Sequence, residues 1–330
     1  MSKWYSSQGN NSDVVLSSKI RLARNLADAP FPCKMSNDIR KSVCKKIFAS
    51  VKNSDLAGEF DLIDLTSVDD IKKISLAEQG VISPEFAKQN MFGSVLVSKD
   101  ESTSVMLCEE DHIRLTVRTA GQDLEAAYKK ADVIDDIFIK NLKIAFSDRW
   151  GFLTSNPMNL GTGLKASLIL HLPAITERGM MPSLTAMVNK LGFTVKSLYG
   201  GSDFYELSNR ISLGITEKNA IENLNAICDQ IVKQERAFRQ ELMEFDDFQD
   251  KIYRAMGTLK MARKLSTKEF YSLISLVRLG ISMGSFDTDY EKIGNMINSL
   301  GTATIMSGAE ERMTVDEADK LRAQYVRKEL

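Results

Sequence analysis

The chain has 330 residues, of which 43% are hydrophobic and 26% are charged, and its formal net charge is −1. These values are typical of a soluble globular protein, and the length favours two domains over one. The near-zero charge argues against a nucleic-acid or membrane partner, and no apolar stretch is long enough to span a bilayer. Four scattered cysteines without a C-x-x-C pair argue against a disulfide framework or zinc site and fit a cytoplasmic protein.

The first half of the chain mixes predicted strands and helices. The polar segment up to Asp13 is predicted to be mobile. Short alternating runs predict strands at 14–26, 93–98, 104–109 and 113–117. Apolar periodicity and capping signals predict helices at 36–51, 67–79 and 83–86. Ser36 is placed as an N-cap of the first of these helices, and Gly80 is placed to end the second.

The second half changes from mixed elements to helices alone. A long helix is predicted near 123–145 and another near 180–191, with strands at 166–172 and 193–200 and a hairpin formed by 204–209 and 212–215. Thr216 caps a helical run, and S-x-x-E and T-x-x-E signatures at 266–269 and 314–317 open two later helices. The pattern predicts a mixed domain at 1–240 and an all-helical domain at 241–330.

An acidic run stands where a buried strand emerges. Glu109, Glu110 and Asp111 follow the apolar segment that ends at Cys108, and Arg114 comes shortly after. Such a run is often only a solvated strand end. Here basic residues recur at other strand and loop ends, namely Lys19, Arg21, Arg24, Lys165 and Lys196. A site that combines both signs suits phosphoryl transfer, in which cations neutralise phosphate oxygens while carboxylates bind Mg²⁺ or take a proton.

A glycine-containing loop and two histidines complete the candidate residues. The segment "TSNPMNLGTGLKAS" at 154–167 resembles a phosphate-binding loop, although it does not satisfy the Walker A pattern and can equally be a turn that needs two glycines. The segment "YGGSD" at 199–203 indicates only a flexible loop. His171 lies on an apolar strand, where it can stack against adenine or simply pack, and His112 alone is more often structural.

Taken together, these segments resemble the phosphagen (guanidino) kinase family, most closely its bacterial members that phosphorylate arginine in proteins. The matching segments are "VVLSSKIRLARN", "CEEDHIR", "NLGTGLKASLILHLPA", "SNRISLG" and "VRLGISMG". The resemblance implies an α+β phosphagen-kinase-like catalytic domain with a largely antiparallel sheet flanked by helices, and a helical C-terminal domain that mediates dimerisation. It also implies that the separate helical N-terminal domain of the small-molecule kinases is missing.

The resemblance implies a role for each matching residue. Glu110 would be the base that accepts a guanidinium proton, Glu109 and Asp111 would support it and the Mg²⁺ shell, and Asn156 would contact the guanidinium. The residues expected to contact ATP are Ser18, Lys19, Arg21, Arg114, Lys165, Ser167, His171 and Lys196. ATP and Mg²⁺ are the expected cofactors, and no set of residues is assigned as a metal site of its own.

The chain departs from the family pattern at several of these positions. Lys19, Lys165 and Lys196 stand where the family has arginine, so the charge is kept but the forked donor is lost. Asn156 stands in the place of a cysteine. The 199–203 loop is short and lacks a second glutamate, which leaves Asp203 as the carboxylate that could bind substrate. In "ADKLRA" at 318–323, Asp319 and Arg322 match a phosphoarginine-binding motif, whereas an amphipathic surface helix would explain the same residues.

Three functional hypotheses follow from the resemblance. The first is an ATP-dependent kinase of arginine side chains in proteins, working in the cytoplasm as a homodimer, with an adaptor and a Clp-type protease as possible partners. The second is a catalytically degenerate homologue that binds nucleotide and regulates an active kinase, which the site substitutions motivate. The third is a kinase of a small guanidino compound, which the short loop and the missing N-terminal domain fit less well.

Overall fold

The structure is a computed structural model that describes residues 3–330. The strands are β1 Val15–Arg24, β2 Phe60–Asp64, β3 Ser94–Ser98, β4 Thr103–Leu107, β5 Ile113–Ala120, β6 Phe146–Ser147, β7 Gly151–Phe152, β8 Leu164–His171, β9 Phe193–Ser197 and β10 Phe204–Asn209. The helices are α1 Asn37–Lys52, α2 Asp70–Glu78, α3 Pro84–Ala87, α4 Leu124–Asn141, α5 Pro173–Glu177, α6 Met181–Lys190, α7 Glu217–Leu242, α8 Asp246–Met261, α9 Thr267–Ser282, α10 Tyr290–Ser299, α11 Thr302–Ser307 and α12 Val315–Glu329. Short 3₁₀ helices cover Trp4–Ser6, Pro32–Lys34 and Pro157–Asn159.

One eight-stranded sheet organises the first two thirds of the chain. Its strand order is β2-β3-β4-β5-β1-β8-β10-β9, and every neighbouring pair is antiparallel. The strand β1 lies near the centre, so the basic segment that it carries is flanked by β5 and β8. The predicted α+β class, with a largely antiparallel sheet flanked by helices and a helical C-terminal region, is confirmed.

The two faces of the sheet have opposite character, because side chains alternate along each strand. One face is apolar and packs against α1, α4 and α7, which supplies the main core. Its buried side chains include Ile20, Leu22, Leu115, Val117, Ala166, Leu168, Leu170 and Leu207. Arg24 also lies on this side, in a buried ion pair of 2.7 Å with Asp135. The other face carries most of the remaining basic residues.

The helices after α7 build a second core of their own. Phe270, Ile274, Val277, Ile293 and Met296 are fully buried there. Phe204, on β10 of the sheet, belongs to the same cluster, so the helical region and the sheet share a continuous packed contact. The division at residue 240 therefore stays a prediction. Among residues 3–330, no helix combines the length and the apolar character needed to cross a membrane.

Several local predictions need correction. The arm before Asp13 is packed rather than mobile: Trp4 N donates to Asp100 O, and Ser6 Oγ donates to Asn295 of α10 at 2.9 Å. Residues 212–215 form a turn and not a strand, because β10 pairs with β8 and β9 instead. The strand β2 and the small β6–β7 hairpin were not predicted.

Candidate active site

The site lies on the polar face of the sheet, where the strand register gathers the basic residues. Side chains of directly paired residues point to the same side of an antiparallel sheet. Lys19 is paired with Arg118 and Ser167, Arg21 with Lys165, and Lys196 with Glu206. We call this surface the cationic face; it consists of Lys19, Arg21, Arg114, Arg118, Lys165, Ser167, Lys196 and Glu206. The structure thus brings together all five basic residues that the sequence assigned to ATP.

Burial and the nearness of like charges lower pKa values on the cationic face. Burial, followed by the neighbouring charge of Arg114, lowers the pKa of Arg21 to about 10. Burial, followed by Arg21, lowers the pKa of Lys165 to about 8. Neither side chain has an ion pair with a carboxylate of residues 3–330, and Nε of Arg21 is buried without a hydrogen-bond partner. The face therefore holds excess positive charge, which an anionic ligand would neutralise.

Glu206 is a member of this surface that the sequence analysis missed. Its carboxylate lies 2.5 Å from Nζ of Lys19. Burial alone would raise its pKa, but the attraction of Lys19 and Lys165 outweighs burial and lowers the pKa to about 2. The only signal in the sequence is that Glu206 is the single charged residue within "FYELSN"; its place on this surface follows from the pairing of β10 with β8 and β9.

The three carboxylates of the acidic run have different environments. Glu109 is held by Arg114 at 2.5 Å and by the hydroxyl of Ser83 at 2.7 Å, and although burial opposes it, Arg114 lowers the pKa of Glu109. Asp111 is buried and accepts from Asn25 Nδ2 at 2.6 Å and from Ser155 N at 2.7 Å, while its Oδ2 has no partner. These two carboxylates are therefore fixed in place.

Glu110 is the carboxylate that is left exposed. Only its backbone is held: its N–H donates to Glu109, and its carbonyl accepts from Ser155 Oγ at 2.7 Å. Within residues 3–330 the Glu110 carboxylate has neither a hydrogen bond nor an ion pair. The charges of both Glu109 and Glu110 act on Arg21, so the acidic run and the cationic face converge. Glu110 is thus a free acceptor at the edge of the basic cluster.

The glycine-containing loop supports this arrangement through its backbone. Asn156 caps the short helix Pro157–Asn159, and Asn159 accepts from Arg21 Nη2 at 3.4 Å. Gly161 has φ +94°, and a Cβ at this position would lie 2.4 Å from the carbonyl oxygen of Ser212. The glycine is thus required by close packing against the 212–213 turn.

Three residues expected at the nucleotide or substrate lie elsewhere. Ser18 is buried on the apolar side of β1, where its hydroxyl donates to Gly121 O at 2.8 Å; its neighbour Ser17 lines the cavity described below. His171 and Asp203 meet at Ser275 of α9, whose hydroxyl lies 2.9 Å from His171 Nε2 and 2.5 Å from Asp203 Oδ2. His171 is fully buried and stacks on Phe204, so it is not available to a nucleotide base in this structure.

The pair expected to bind phosphoarginine is also used internally. Arg322 is fully buried and donates to Leu300 O, Leu265 O, Asp319 and the Thr302 hydroxyl. These bonds join α12 to α11 and to the turns before α9 and α11. Four of the five N–H groups of this guanidinium are thus used within the chain in this structure, and a role of Asp319 and Arg322 in binding a phosphorylated ligand stays a prediction.

A cavity of about 580 Å³ opens beside the cationic face. Its walls come from the sheet, the N-terminal arm and the helical region, and its lining includes Ser17, Lys19, Arg118, Glu206, Tyr199, Trp4, Tyr5, Tyr271 and Tyr290. Tyr199 and Tyr271 stack with ring centroids 4.2 Å apart. The volume falls within the range of about 300–1,000 Å³ that is usual for small-molecule sites, and the aromatic walls suit a flat ring.

The donor set also bears on metal binding. Among residues 3–330, no three His, Cys, Asp or Glu side chains converge to hold a metal ion by themselves. Mg²⁺ is commonly held by one or two carboxylates together with waters and substrate phosphates. The unpartnered carboxylate of Glu110 beside a phosphate-sized cluster of cations fits that mode, in which most ligands come from the nucleotide.

Comparison with known proteins agrees with this geometry. The family described as ATP:guanido phosphotransferase, C-terminal catalytic domain, matches residues 40–238, and the Protein-arginine kinase McsB C-terminal domain matches residues 246–330. The chain is similar to the protein-arginine kinase of Clostridium acetobutylicum, with 36% identity over 100% of both chains. It is 35% identical to that of Caldanaerobacter subterraneus, over 96% of this chain and 97% of the relative.

Solved structures share the fold over 69% to 71% of the chain. The duplicated taurocyamine kinase from Schistosoma mansoni with bound transition state analog components matches 69% of this chain and 34% of its own, with a TM-score of 0.62 and 25% identity. Lombricine kinase matches 71% of this chain and 69% of its own, with a TM-score of 0.60 and 19% identity, a likeness of fold. The comparisons give no support to a catalytically degenerate homologue. The chain therefore belongs to the ATP:guanido phosphotransferase family, in the group of the protein-arginine kinases, and it is an enzyme.

Proposed function

We propose that the chain transfers the γ-phosphoryl group of Mg-ATP to a guanidino nitrogen of arginine residues in proteins. The observation that carries the proposal is the position of Glu110, which presents a free carboxylate at the edge of a cluster of cations that the neighbouring carboxylates neutralise only in part. Guanidino transfer needs both parts, since a guanidinium must lose a proton and a triphosphate must be neutralised. The family membership and the relatives named protein-arginine kinases support the choice of nucleophile.

The proposed placement of the nucleotide follows from the layout of the cationic face. The triphosphate would lie over Lys19, Arg21, Arg114, Lys165 and Lys196, with its γ-phosphate towards Glu110. The nucleoside would enter the adjoining cavity, between Ser17 and the tyrosine-lined wall. Bound Mg²⁺ would supply charge neutralisation of the phosphate oxygens. Ser167, paired with Lys19 in the sheet, lies at the same level as the phosphates.

The chemical step needs a proton acceptor aligned with the attacking nitrogen. A guanidinium nitrogen forms the new N–P bond, the bond from the γ-phosphorus to the bridging oxygen of ADP breaks, and the proton of that nitrogen passes to the Glu110 carboxylate. Glu109 and Asp111 would help to position Glu110, because contacts with Arg114 and Asn25 hold these two carboxylates in place. Asn156 follows Ser155, which contacts the acidic run, and its side chain would hydrogen-bond the incoming guanidinium.

The test compares Glu110→Gln with a matched exposed variant, Glu125→Gln on α4. Each protein is incubated with Mg-ATP and an arginine-rich unfolded protein, and acid-labile phosphoarginine is measured by mass spectrometry. We expect Glu110→Gln to lose at least about 10²-fold in rate while binding Mg-ADP normally, and Glu125→Gln to match the wild type. Full activity of Glu110→Gln would refute the assignment of the base. Preference for free arginine over protein would favour the small-molecule hypothesis instead.

We also propose the wider setting that the family suggests. The reaction would take place in the cytoplasm, which the four free cysteines support. The helical region 241–330 would mediate a homodimer, and the marked proteins would pass, with an adaptor, to a Clp-type protease. The match of residues 246–330 to the Protein-arginine kinase McsB C-terminal domain supports the family comparison from which these partners are inferred. Sedimentation at micromolar concentration tests the dimer directly.

A further inference from the structure

Arg118 is a cation of the site that the sequence analysis did not single out. It is paired with Lys19 across β1 and β5, so it belongs to the cationic face. It also lines the cavity, between Glu206, Tyr199 and Trp4. Arg114 and Arg118 are four residues apart on one strand, a spacing that places both side chains on the same side of the sheet. The site therefore holds one more guanidinium than the resemblance predicts.

The guanidinium of Arg118 is not paired with a carboxylate of residues 3–330. Lys19 is paired with Glu206, and Arg114 with Glu109. Arg118, in contrast, has no ion pair with any carboxylate of residues 3–330; its hydrogen bond goes from Nη2 to the carbonyl oxygen of Gly80. Burial lowers its pKa to about 10, so it keeps its charge at neutral pH. A guanidinium left without an anion beside a cavity is a ready receptor for an anionic group of a ligand.

The strand register shows which part of a nucleotide Arg118 can reach. Arg114 stands at the acidic run, and Arg118 lies four residues farther along β5, about 13 Å at the usual rise per residue. A triphosphate chain is shorter than this spacing, so with the reacting phosphate near Glu110 the long side chain of Arg118 would extend towards the acidic run to meet the far end of the phosphate chain. Trp4, whose ring centroid is 6.0 Å from the Arg118 guanidinium, and Tyr199 mark the start of the aromatic wall.

We propose that Arg118 binds the α-phosphate of the nucleotide. This inference rests on the proposed nucleotide-binding function and adds a specific residue to it. Lys19, Lys165 and Lys196 each offer a point charge rather than a planar fork of donors. Arg118 supplies a forked donor on the same surface, at the α-phosphate, and so compensates in binding for part of what these lysines lack.

The test is a series of ligands that differ only in phosphates. Dissociation constants for adenosine, AMP and Mg-ADP are measured by calorimetry on the full chain, for the wild type, Arg118→Met, Arg118→Lys and the exposed control Arg149→Met. We expect Arg118→Met to weaken AMP and ADP about tenfold while adenosine changes less than twofold, with Arg118→Lys in between. In turnover, Arg118→Met should raise KM for ATP about tenfold and change kcat less than threefold.

The alternative outcomes separate the hypotheses. Equal losses for adenosine and AMP would mean that Arg118 only shapes the cavity through its contact with Gly80, and would overturn the proposal. Unchanged AMP and ADP binding would overturn it as well. A wild-type protein that binds none of the three ligands would refute the nucleotide-binding function itself. Melting temperatures of the four proteins verify that the variants are folded.

Discussion

Lys165 shows how a single side chain couples the chemistry of the site to pH. Its pKa is lowered to about 8 by burial and by Arg21, so the unliganded protein releases this proton as pH rises from 7 to 9. The charged form is the one that attracts phosphate. Rising pH thus weakens phosphate binding but increases the stability of the unliganded protein. Above pH 8 the unfolded chain holds more protons at Lys165 than the folded chain does, so the free energy of unfolding rises there.

We therefore predict that Mg-ADP binding weakens by up to about tenfold between pH 7 and pH 9, as the protonated fraction of Lys165 falls. Lys165→Arg should flatten this dependence, because a guanidinium stays charged over the range. Calorimetric titrations at four pH values measure both profiles, with Lys140→Arg on α4 as the exposed control. Parallel profiles for wild type and Lys165→Arg would assign the pH dependence to another group.

At the same scale, the sequence reveals charges more readily than their partners. Lys19, Arg21 and Lys165 could be assigned to one site because basic residues at strand ends form a local pattern. The role of Glu206 could not, since it depends on β10 lying next to β8. Ser18 lies away from the cationic face for a related reason: neighbouring residues of a strand point to opposite faces, and only the register shows that Ser17 is the one that faces the cavity.

At the scale of elements, the glycine-containing loop is held by packing against the turn at 212–213. Gly161 and Gly214 both have positive φ, +94° and +76°, but only at Gly161 would a Cβ meet backbone, 2.4 Å from Ser212 O. An alanine would be strained by the positive φ at either position, but only at position 161 would its Cβ also clash with the backbone. They form a matched pair for testing what the loop contributes.

We predict that Gly161→Ala lowers the free energy of unfolding by about 2–4 kcal/mol and reduces kcat, because the loop that holds Asn156 and Asn159 must shift. Gly214→Ala should cost about 1 kcal/mol, from strain alone, and leave kcat unchanged. Urea denaturation and initial-rate assays measure the two effects. Similar losses of stability for both variants would show that the clash is relieved without movement of the loop.

Element prediction succeeded where the signal was local. Ser36 and Thr216 cap α1 and α7 as predicted, because capping depends on residues three positions apart. The strand β2 was missed because "FDLID" alternates weakly and carries two aspartates at the edge of the sheet. The hairpin predicted at 204–215 failed because the Ser212 hydroxyl bonds to carbonyls of the 158–160 segment, a contact distant in sequence.

At the scale of the whole molecule, Ser275 joins the sheet to the helical region. Its hydroxyl lies between His171 of β8 and Asp203 of the turn before β10. Arg239 of α7 adds a hydrogen bond of 2.8 Å to the carbonyl of His171 and an ion pair of 2.7 Å to Glu235. Polar groups buried at such a contact are costly to leave without partners, so the two regions should unfold together.

We predict that Ser275→Ala lowers the free energy of unfolding by about 1–3 kcal/mol, because Asp203 and His171 lose a shared partner. The loss should appear equally in circular dichroism, which follows the helices of both regions, and in the fluorescence of Trp150, which lies between β6 and β7 of the sheet region, measured in a Trp4→Phe background. Coincident urea transitions are the expected result. Separate midpoints for the two probes would show that the regions unfold independently.

The packed N-terminal arm has a consequence for how the protein is made. Trp4 and Tyr5 form one wall of the cavity, and the next residue, Ser6, donates a hydrogen bond to Asn295 of α10. The ribosome makes the arm long before α10, so the two halves of the wall are separated in time during synthesis. A growing polypeptide can assemble its basic strands early, yet it cannot enclose a nucleoside until α10 has been translated.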